Sequence, residues 1–341
     1  MTDATLRPAE RSALRRPGLL AGLGVLVLAL VLWSLAVGPA DVSPLAALGA
    51  LVADDGTPLT LVMREIRLPR AILAALIGAS LGLSGAALQG FLRNPLAEPG
   101  LIGVSGAAAL GAVLAIQTGL AAAFALALPL AALVGASLAA ALLLALAGPR
   151  GGSLTLILSG VALSALSGAL TSLVLNLSPN PFAAGEIVFW MMGSLEARSF
   201  THVWLALPFV LAGWAAILVC RRGLDALTLG EDAAASLGVS LPRLRLLLVL
   251  GTAACVGAST AVAGAIGFVG LVVPHVLRPL VRARPSALLP ASMLGGAALV
   301  LAADIAARLV LPDRDLKLGV LMALVGAPVF LHLIWRTRGE G

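Results

Sequence analysis

The sequence predicts an all-α polytopic membrane protein with about ten transmembrane helices. Of its 341 residues, 60% are hydrophobic and only 11% are charged, and the mean hydropathy is +1.07. A soluble domain carries about 25% charged residues, so the charges here are too few to cover a globular surface. The second observation is a series of long uncharged stretches, because a spanning helix needs roughly 20 apolar residues.

Eight uncharged stretches account for the ten predicted spans. The stretch 99–149 is long enough for two helices, and 151–185 provides one span and an external loop. The stretch 246–277 is bracketed by Arg-rich sequence on both sides and must therefore leave and return, which leaves room for one short or broken crossing. The eight stretches are 19–38, 71–92, 99–149, 151–185, 199–220, 246–277, 285–303 and 318–335.

The distribution of positive charge predicts the orientation. With a cytoplasmic N-terminus, most of the 22 Lys and Arg residues fall on the cytoplasmic side, as is typical of membrane proteins. We therefore expect cytoplasmic N- and C-termini. We expect a single transmembrane domain over 1–341, with a cytoplasmic tail at 1–18 and a cytoplasmic segment at 221–245. The net charge of +6 does not indicate nucleic-acid binding, because no basic patch is interleaved with aromatic residues.

Several motifs occur along the chain in a fixed order. RLPR at 67–70 is followed by GASLGLSGAALQGFLRNPLAEPGLIG at 78–103. The later blocks are WMMGSL at 190–195, LGEDAAASLG at 229–238, GAIGFVGLVVPH at 264–275, ADIAAR at 303–308 and GAPVF at 326–330. Together they resemble the FecCD-type permeases of bacterial ABC importers for iron chelates, haem and cobalamin, over about residues 60–335.

This resemblance implies the permease fold of a type II ABC importer in the bacterial inner membrane. Two permease subunits, either a homodimer or a pair with a paralogue, would form the pathway. Two ATPase subunits would bind ATP, a periplasmic binding protein would deliver the substrate, and this chain would bind no cofactor. A ferric siderophore is the favoured substrate, with haem or cobalamin as the alternatives.

The resemblance also implies roles for individual residues. Carboxylates of the binding protein would dock onto Arg67, Arg70 and Arg308, whereas a purely lipid-anchoring role is the alternative. A coupling helix for the ATPase would include Gly230, Glu231, Asp232, Ala234, Leu237 and Gly238. The two acidic residues suit the positive end of a helix dipole, and the alternative is a solvated loop.

The cytoplasmic gate is expected where proline interrupts the helical pattern. The resemblance places Asn94, Pro95 and Leu96 at one gate and Ser153 near the other, and a plain interhelical turn is the alternative. Gln89 could face the pathway or bond another helix. The lone His275 is more often a capping residue than a metal ligand, so no metal site is expected.

Catalysis by this chain is not expected. The only lysine, Lys317, lies between two leucines and not in a phosphate-binding loop, so ATP hydrolysis belongs to a partner. The alternative function is a secondary transporter or channel that works without ATP. Proton-coupled transport would use ionisable groups at mid-membrane depth, but Glu98, Glu186 and Asp304 are predicted near helix ends.

Overall fold

The all-α prediction is confirmed. The computed structural model describes residues 8–38, 43–53, 56–124, 126–148, 152–310 and 316–337, and these residues form helices and turns with no strand among them. Residues 1–7 of the predicted tail lie outside the described residues. Residues 8–18 already belong to the first helix, which runs without interruption into the first span.

Sixteen α-helices follow one another along the described residues. In chain order they are α1 (Pro8–Ala36), α2 (Pro44–Val52), α3 (Pro58–Leu61), α4 (Leu68–Phe91), α5 (Val104–Gln117), α6 (Leu120–Ala123), α7 (Ala127–Ala147), α8 (Ser153–Asn176), α9 (Pro181–Met191), α10 (Phe200–Val219), α11 (Arg221–Leu227), α12 (Glu231–Ser236), α13 (Leu241–Ala263), α14 (Val269–Leu277), α15 (Pro285–Val310) and α16 (Leu318–Thr337). A π-helical turn, Val62–Arg67, joins α3 to α4.

Seven of the ten predicted crossings are helices of full spanning length. Seven segments of the described residues are long and apolar enough to span a membrane: α1, the continuous stretch Pro58–Phe91 that ends with α4, and α7, α8, α10, α13 and α15. The 20-residue α16, the 14-residue α5 and the nine-residue α14 bring the number of apolar crossings to ten. Helix α9 has only 11 residues and belongs to the connection between α8 and α10.

The two ends of the helices define two faces of the protein. Helix α4 begins near Arg70 and ends at Phe91, and just beyond it Arg93 forms an ion pair with Glu231 of α12. At 1.5 Å per residue, these two ends of α4 lie about 35 Å apart. We call the end that carries α11 and α12 the α12 face, and the end that carries Arg67, Arg70 and Arg308 the Arg308 face.

The crossing that the sequence left uncertain is a broken one. Helix α13 has 23 residues and is long enough to span, but α14 has only nine. Nine residues extend about 14 Å, less than half of the roughly 30 Å hydrocarbon core. Residues 264–268 are non-helical and join the two helices. Such backbone is tolerated inside a membrane only where protein or a water-filled cavity surrounds it.

Helix α4 lies at the centre of the protein, and glycines allow its neighbours to approach closely. A Cβ atom added at Gly78 would lie 2.2 Å from the carbonyl oxygen of Gly296 in α15. One added at Gly85 would lie 1.9 Å from the carbonyl oxygen of Gly270 in α14. Small residues at helix contacts are typical of membrane proteins. The glycines of the 78–103 motif therefore set the backbone-to-backbone packing of α4, α14 and α15.

Candidate functional site

On the Arg308 face, Arg67 caps the end of α1. The last carbonyl groups of a helix lack partners within the helix. Arg67 Nη1 donates hydrogen bonds to the carbonyl oxygens of Leu35 (2.8 Å) and Ala36 (3.0 Å). Gly38 leaves room for this guanidinium, because a Cβ there would lie 2.7 Å from Arg67 Nη2. Arg67 is only 5% exposed, so its guanidinium group interacts mainly with groups of the same chain.

Arg70 and Arg308 share one buried carboxylate. Asp304 is 1% exposed, and its oxygens lie 2.9 Å from Nη2 of Arg70 and 2.9 Å from Nη2 of Arg308. Arg308 also caps α1 by donating to the carbonyl oxygens of Ser34 and Val37. The Arg70 side chain is 20% exposed and that of Arg308 is 12% exposed.

The three predicted docking arginines therefore lie on one face, where α1, α4 and α15 meet. Sequence reasoning did not anticipate their partners inside the chain. The sequence contained one signal for this ion pair. Asp304 precedes Arg308 by four residues in the ADIAAR motif, and side chains at this spacing meet on a helix. Docking itself stays a prediction for these residues, and Arg70 is the most accessible of them.

On the α12 face, the predicted coupling segment forms a short helix with one buried side. Helix α12 starts after Gly230, which has a φ of +105°, and Glu231 and Asp232 occupy its first turn. Ala234 is 0% exposed and packs within the chain. Ala234 therefore cannot contact a partner directly, and its small side chain instead allows α12 to lie against the protein.

The exposed part of this segment is apolar. Leu229 and Leu237, on either side of α12, are 68% and 66% exposed. Gly238 follows with a φ of +84°, a left-handed conformation that favours glycine. Exposed leucines at both ends of a short helix, on a face rich in arginine, provide an apolar surface that could pack against a partner.

An ion pair fixes α11 to the start of α15. Asp225 lies 2.9 Å from Arg284 Nε and accepts a 2.8 Å hydrogen bond from the backbone N–H of Ser286. Burial by itself raises the pKa of the Asp225 carboxyl, but the hydrogen bonds from Ser286 and Arg284 and the charge of Arg284 outweigh it, so the pKa is lowered. The carboxylate therefore remains ionised and holds α11 in place beneath the spans.

Among the predicted gate residues, Gln89 bonds another helix. It is 1% exposed, and its Nε2 donates to the carbonyl oxygens of Gly270 (3.2 Å) and Leu271 (3.4 Å). Its Oε1 accepts a hydrogen bond from Arg278. Of the two roles left open by the sequence, the structure therefore supports the bond to another helix, which joins α4 to α14.

Asn94 builds the turn at the end of α4. Its Oδ1 accepts a 2.9 Å hydrogen bond from the N–H of Leu96, and its own N–H donates to the carbonyl oxygen of Gln89. Both Asn94 and Arg93 are exposed, whereas Pro95 and Leu96 are partly buried. Asn94, Pro95 and Leu96 therefore form one compact turn at the end of α4.

Ser153 lies in a different element, at the first position of α8. The loop that follows Asn94 does approach α8, but at a point further along both segments. A Cβ added at Gly160 of α8 would lie 2.2 Å from the carbonyl oxygen of Leu101. The hydrogen bonds of the described residues do not join Ser153 to Asn94, so the gate role of each stays a prediction.

Glu98 lies deeper in the protein than the sequence suggests. Its Oε1 accepts a 2.6 Å hydrogen bond from the N–H of Phe268 at the start of α14. Glu98 also lines a cavity of about 100 Å³ with Leu81. Leu81 lies ten residues before the end of α4, or about 15 Å from the α12 face. Glu98 does lie at helix ends, directly before the 3-10 helix Pro99–Ile102 and against the start of α14, but the 92–98 loop carries these ends into the membrane-spanning part of the protein.

The described residues show no metal centre. No group of three or more His, Cys, Asp or Glu side chains is arranged to hold a metal ion in the part of the chain that the structure describes. His202 accepts a hydrogen bond from the backbone N–H of Ser199 through Nδ1, at 3.2 Å. This is a local capping contact.

These features define a class of protein. The protein has ten apolar crossings around a central glycine-rich helix, a broken helix beside it and a short exposed helix on the Arg-rich face. This arrangement is typical of a membrane permease. The FecCD transport family matches residues 26–336, and the chain belongs to this family.

Individual relatives agree with this assignment. The chain is 40% identical over 321 residues to the vitamin B12 import system permease protein BtuC of Klebsiella pneumoniae, covering 94% of each chain. It is 39% identical to the uncharacterized ABC transporter permease protein YvrB of Bacillus subtilis, over 85% of this chain and 84% of that one. It is 37% identical to the cobalamin import system permease protein BtuC of Halobacterium salinarum, over 82% of this chain and 75% of that one.

A solved structure shares the fold. A chain described as part of a metal-chelate type ABC transporter in an inward-facing conformation superposes with a TM-score of 0.84 and 35% identity, covering 94% of this chain and 99% of that one. The protein is thus a permease subunit of an ABC importer in the membrane, and hydrolysis of ATP belongs to a separate subunit. The alternative of a transporter that works without ATP is not supported.

Proposed function

We propose that this permease subunit carries a cobalamin across the plasma membrane. The observation that carries the proposal is the 40% identity to a vitamin B12 permease over 94% of both chains. The sequence motifs alone favoured a ferric siderophore. That second candidate retains support from the metal-chelate type transporter with a TM-score of 0.84.

An uptake assay separates the two substrates. In cells that lack the gene for this chain, we expect uptake of radiolabelled cobalamin at low external concentration to be lost and to return when the gene is restored. Uptake of ferric siderophores in the same cells serves as the control and is expected to be unchanged. Loss of siderophore uptake with normal cobalamin uptake would contradict the proposal and support the iron chelate.

The orientation we propose places the α12 face in the cytoplasm. The Arg residues of the described chain are concentrated at that face, including Arg221, Arg222, Arg243 and Arg245, and positive charge is retained on the cytoplasmic side of membrane proteins. Both termini would then be cytoplasmic. The Arg308 face would meet the substrate-binding protein, and α12 with its exposed leucines would meet the ATPase.

We further propose that two copies of the chain form the pathway. Helix α8 carries a series of leucines that are at least half exposed in the single chain, among them Leu154, Leu158, Leu166 and Leu173. Helix α8 begins at the predicted gate residue Ser153. A second copy packed near this helix would cover part of its apolar surface and place both copies of the gate around one pathway.

Arg70 is the most accessible of the three arginines, so we expect its substitution to change the affinity for the binding protein. Arg70→Gln should weaken binding of the substrate-binding protein several-fold, because a charged pair at an interface rim would be lost, while Asp304 keeps Arg308 as its partner. The effect should shrink with added salt, since the Debye length is about 8 Å at physiological ionic strength. Binding is measured on the importer in nanodiscs at two salt concentrations.

Two further variants provide controls for docking. Arg64→Gln removes a charge from the same face, and Arg64 Nε donates to the carbonyl oxygen of Leu51, so we expect docking to be little changed. Arg67→Gln removes two hydrogen bonds to the end of α1, so it should lower thermal stability more than docking affinity. Equal docking by wild type and Arg70→Gln at both salt concentrations would restrict these arginines to a structural role.

A further inference from the structure

A second polar pocket opens at the α12 face, beside the turn that holds the predicted gate residue Asn94. It has a volume of about 260 Å³ and lies between the end of α4 and the start of α15. Two arginines from different elements line it, Arg93 after α4 and Arg278 after α14. Gln89 and Thr228 provide further polar groups, and Ala86, Gly90 and Leu288 are among its apolar walls.

Arg278 carries a positive charge that the described residues do not balance. Its Nη2 donates to Gln89, which is a neutral partner. Its Nε is buried and has no hydrogen-bond partner within the described chain. No ion pair between Arg278 and a carboxylate occurs among those residues either. Arg278 is partly buried, and a charge removed from water is costly unless it is paired and hydrogen-bonded, so this site favours an anionic ligand.

Arg93 adds a second charge to the same pocket. Its single ion pair in the described chain, with Glu231, is long at 3.8 Å, and the Arg93 side chain is 51% exposed. The guanidinium can therefore turn toward a stronger acceptor at little cost. This ion pair also connects the pocket to α12.

The backbone around the pocket is strained. Five non-glycine residues of the described chain have a positive φ, and three of them lie here: Arg93 (+50°), Arg282 (+54°) and Ala283 (+54°). Such conformations cost about 1–3 kcal/mol each and cluster at functional sites. In this case they bring the arginine after α4 and the turn after α14 to the same pocket.

We propose that this pocket binds a phosphate group, held between the guanidinium groups of Arg93 and Arg278. Guanidinium groups match the geometry of phosphate oxygens and form strong charge-assisted hydrogen bonds with them. Val276 and Leu280, on either side of Arg278, are 58% and 59% exposed. An arginine at a helix end suits the phosphate of an anionic phospholipid, and the apolar side chains beside it suit the acyl chains. Basic pockets between spanning helices are known to bind such headgroups.

The test uses the full-length chain, purified in a zwitterionic detergent, and measures binding of short-chain phosphatidylglycerol. Arg93→Gln should raise the dissociation constant about fivefold, as expected for one arginine at a membrane surface. Arg278→Gln should raise it further. Arg243→Gln removes an exposed charge at the same face but outside the pocket, so it should leave the dissociation constant unchanged.

Competition with inorganic phosphate identifies the source of the phosphate group. Displacement of the lipid at millimolar inorganic phosphate would indicate a soluble ligand, whereas retention of the lipid would indicate a headgroup. Arg278 also holds Gln89, so a loss of binding in Arg278→Gln counts only if that variant is as stable as the wild type, and Arg93→Gln decides the result otherwise. Equal phosphatidylglycerol binding by wild type and Arg93→Gln, or no binding of either phosphate compound to the wild type, would overturn the proposal.

Discussion

Gly85→Ala is expected to destabilise the protein severely, although it adds only one methyl group. The new Cβ would lie 1.9 Å from the carbonyl oxygen of Gly270 and 2.4 Å from its Cα. Both contacts are with backbone, which cannot rotate away, so α4 and α14 would have to separate. Overpacking of this kind typically costs about 1–3 kcal/mol, and the hydrogen bonds of Gln89 to α14 would be strained as well.

The expected result is a clear fall in the thermal unfolding temperature of the purified permease, with loss of folded material during extraction. Gly168→Ala in α8 is the matched control, because nothing lies within 4 Å of the Cβ that it would add. Alanine also has the higher helix propensity, so that variant should be as stable as the wild type. An unfolding temperature for Gly85→Ala equal to that of the control would contradict the close packing of α4 and α14.

Leu237→Asp is expected to uncouple transport from ATP hydrolysis by tenfold or more. Leu237 is 66% exposed beside α12, so a polar residue there is compatible with the fold. At an interface with the ATPase the same carboxylate would be buried without a partner. The few residues that dominate an interface contribute about 2 kcal/mol or more each. Substrate uptake and substrate-stimulated ATP hydrolysis are measured together in proteoliposomes.

Two variants of the same segment show whether the effect comes from the interface. Leu237→Met keeps an apolar side chain of similar size and should transport normally. Ala234→Arg, in contrast, should reduce the amount of folded protein, because Ala234 is fully buried within the chain. Normal coupling in Leu237→Asp, with normal expression, would mean that this segment is a solvated loop.

The sequence by itself determined the class and the general arrangement of this protein. The scarcity of charged residues and the lengths of the apolar stretches predict spanning helices because each helix must satisfy its own backbone in the bilayer. The order of the motifs predicted the family. The family resemblance also implied the position of the short α12, and the acidic pair Glu231 and Asp232 is compatible with the start of a helix.

The path of 246–284 could not be derived from hydropathy alone. An apolar stretch indicates burial, but it does not distinguish a continuous helix from the non-helical link at 264–268 followed by the nine-residue α14. The difference depends on partners that are far away in sequence. Glu98 accepts the hydrogen bond of Phe268, and Gln89 accepts one from Arg278 beyond the end of α14.

The tertiary structure alone decided which of the predicted site residues are accessible. Arg67 and Arg70 belong to one motif, and Ala234 and Leu237 belong to another. Within each motif the first residue is buried, whereas Arg70 is partly exposed and Leu237 is largely exposed. The carbonyl groups at the end of α1 occupy Arg67, although they lie more than 30 residues away in the chain. Burial and hydrogen bonding depend on which helices meet, and the residue types of a motif do not contain that information.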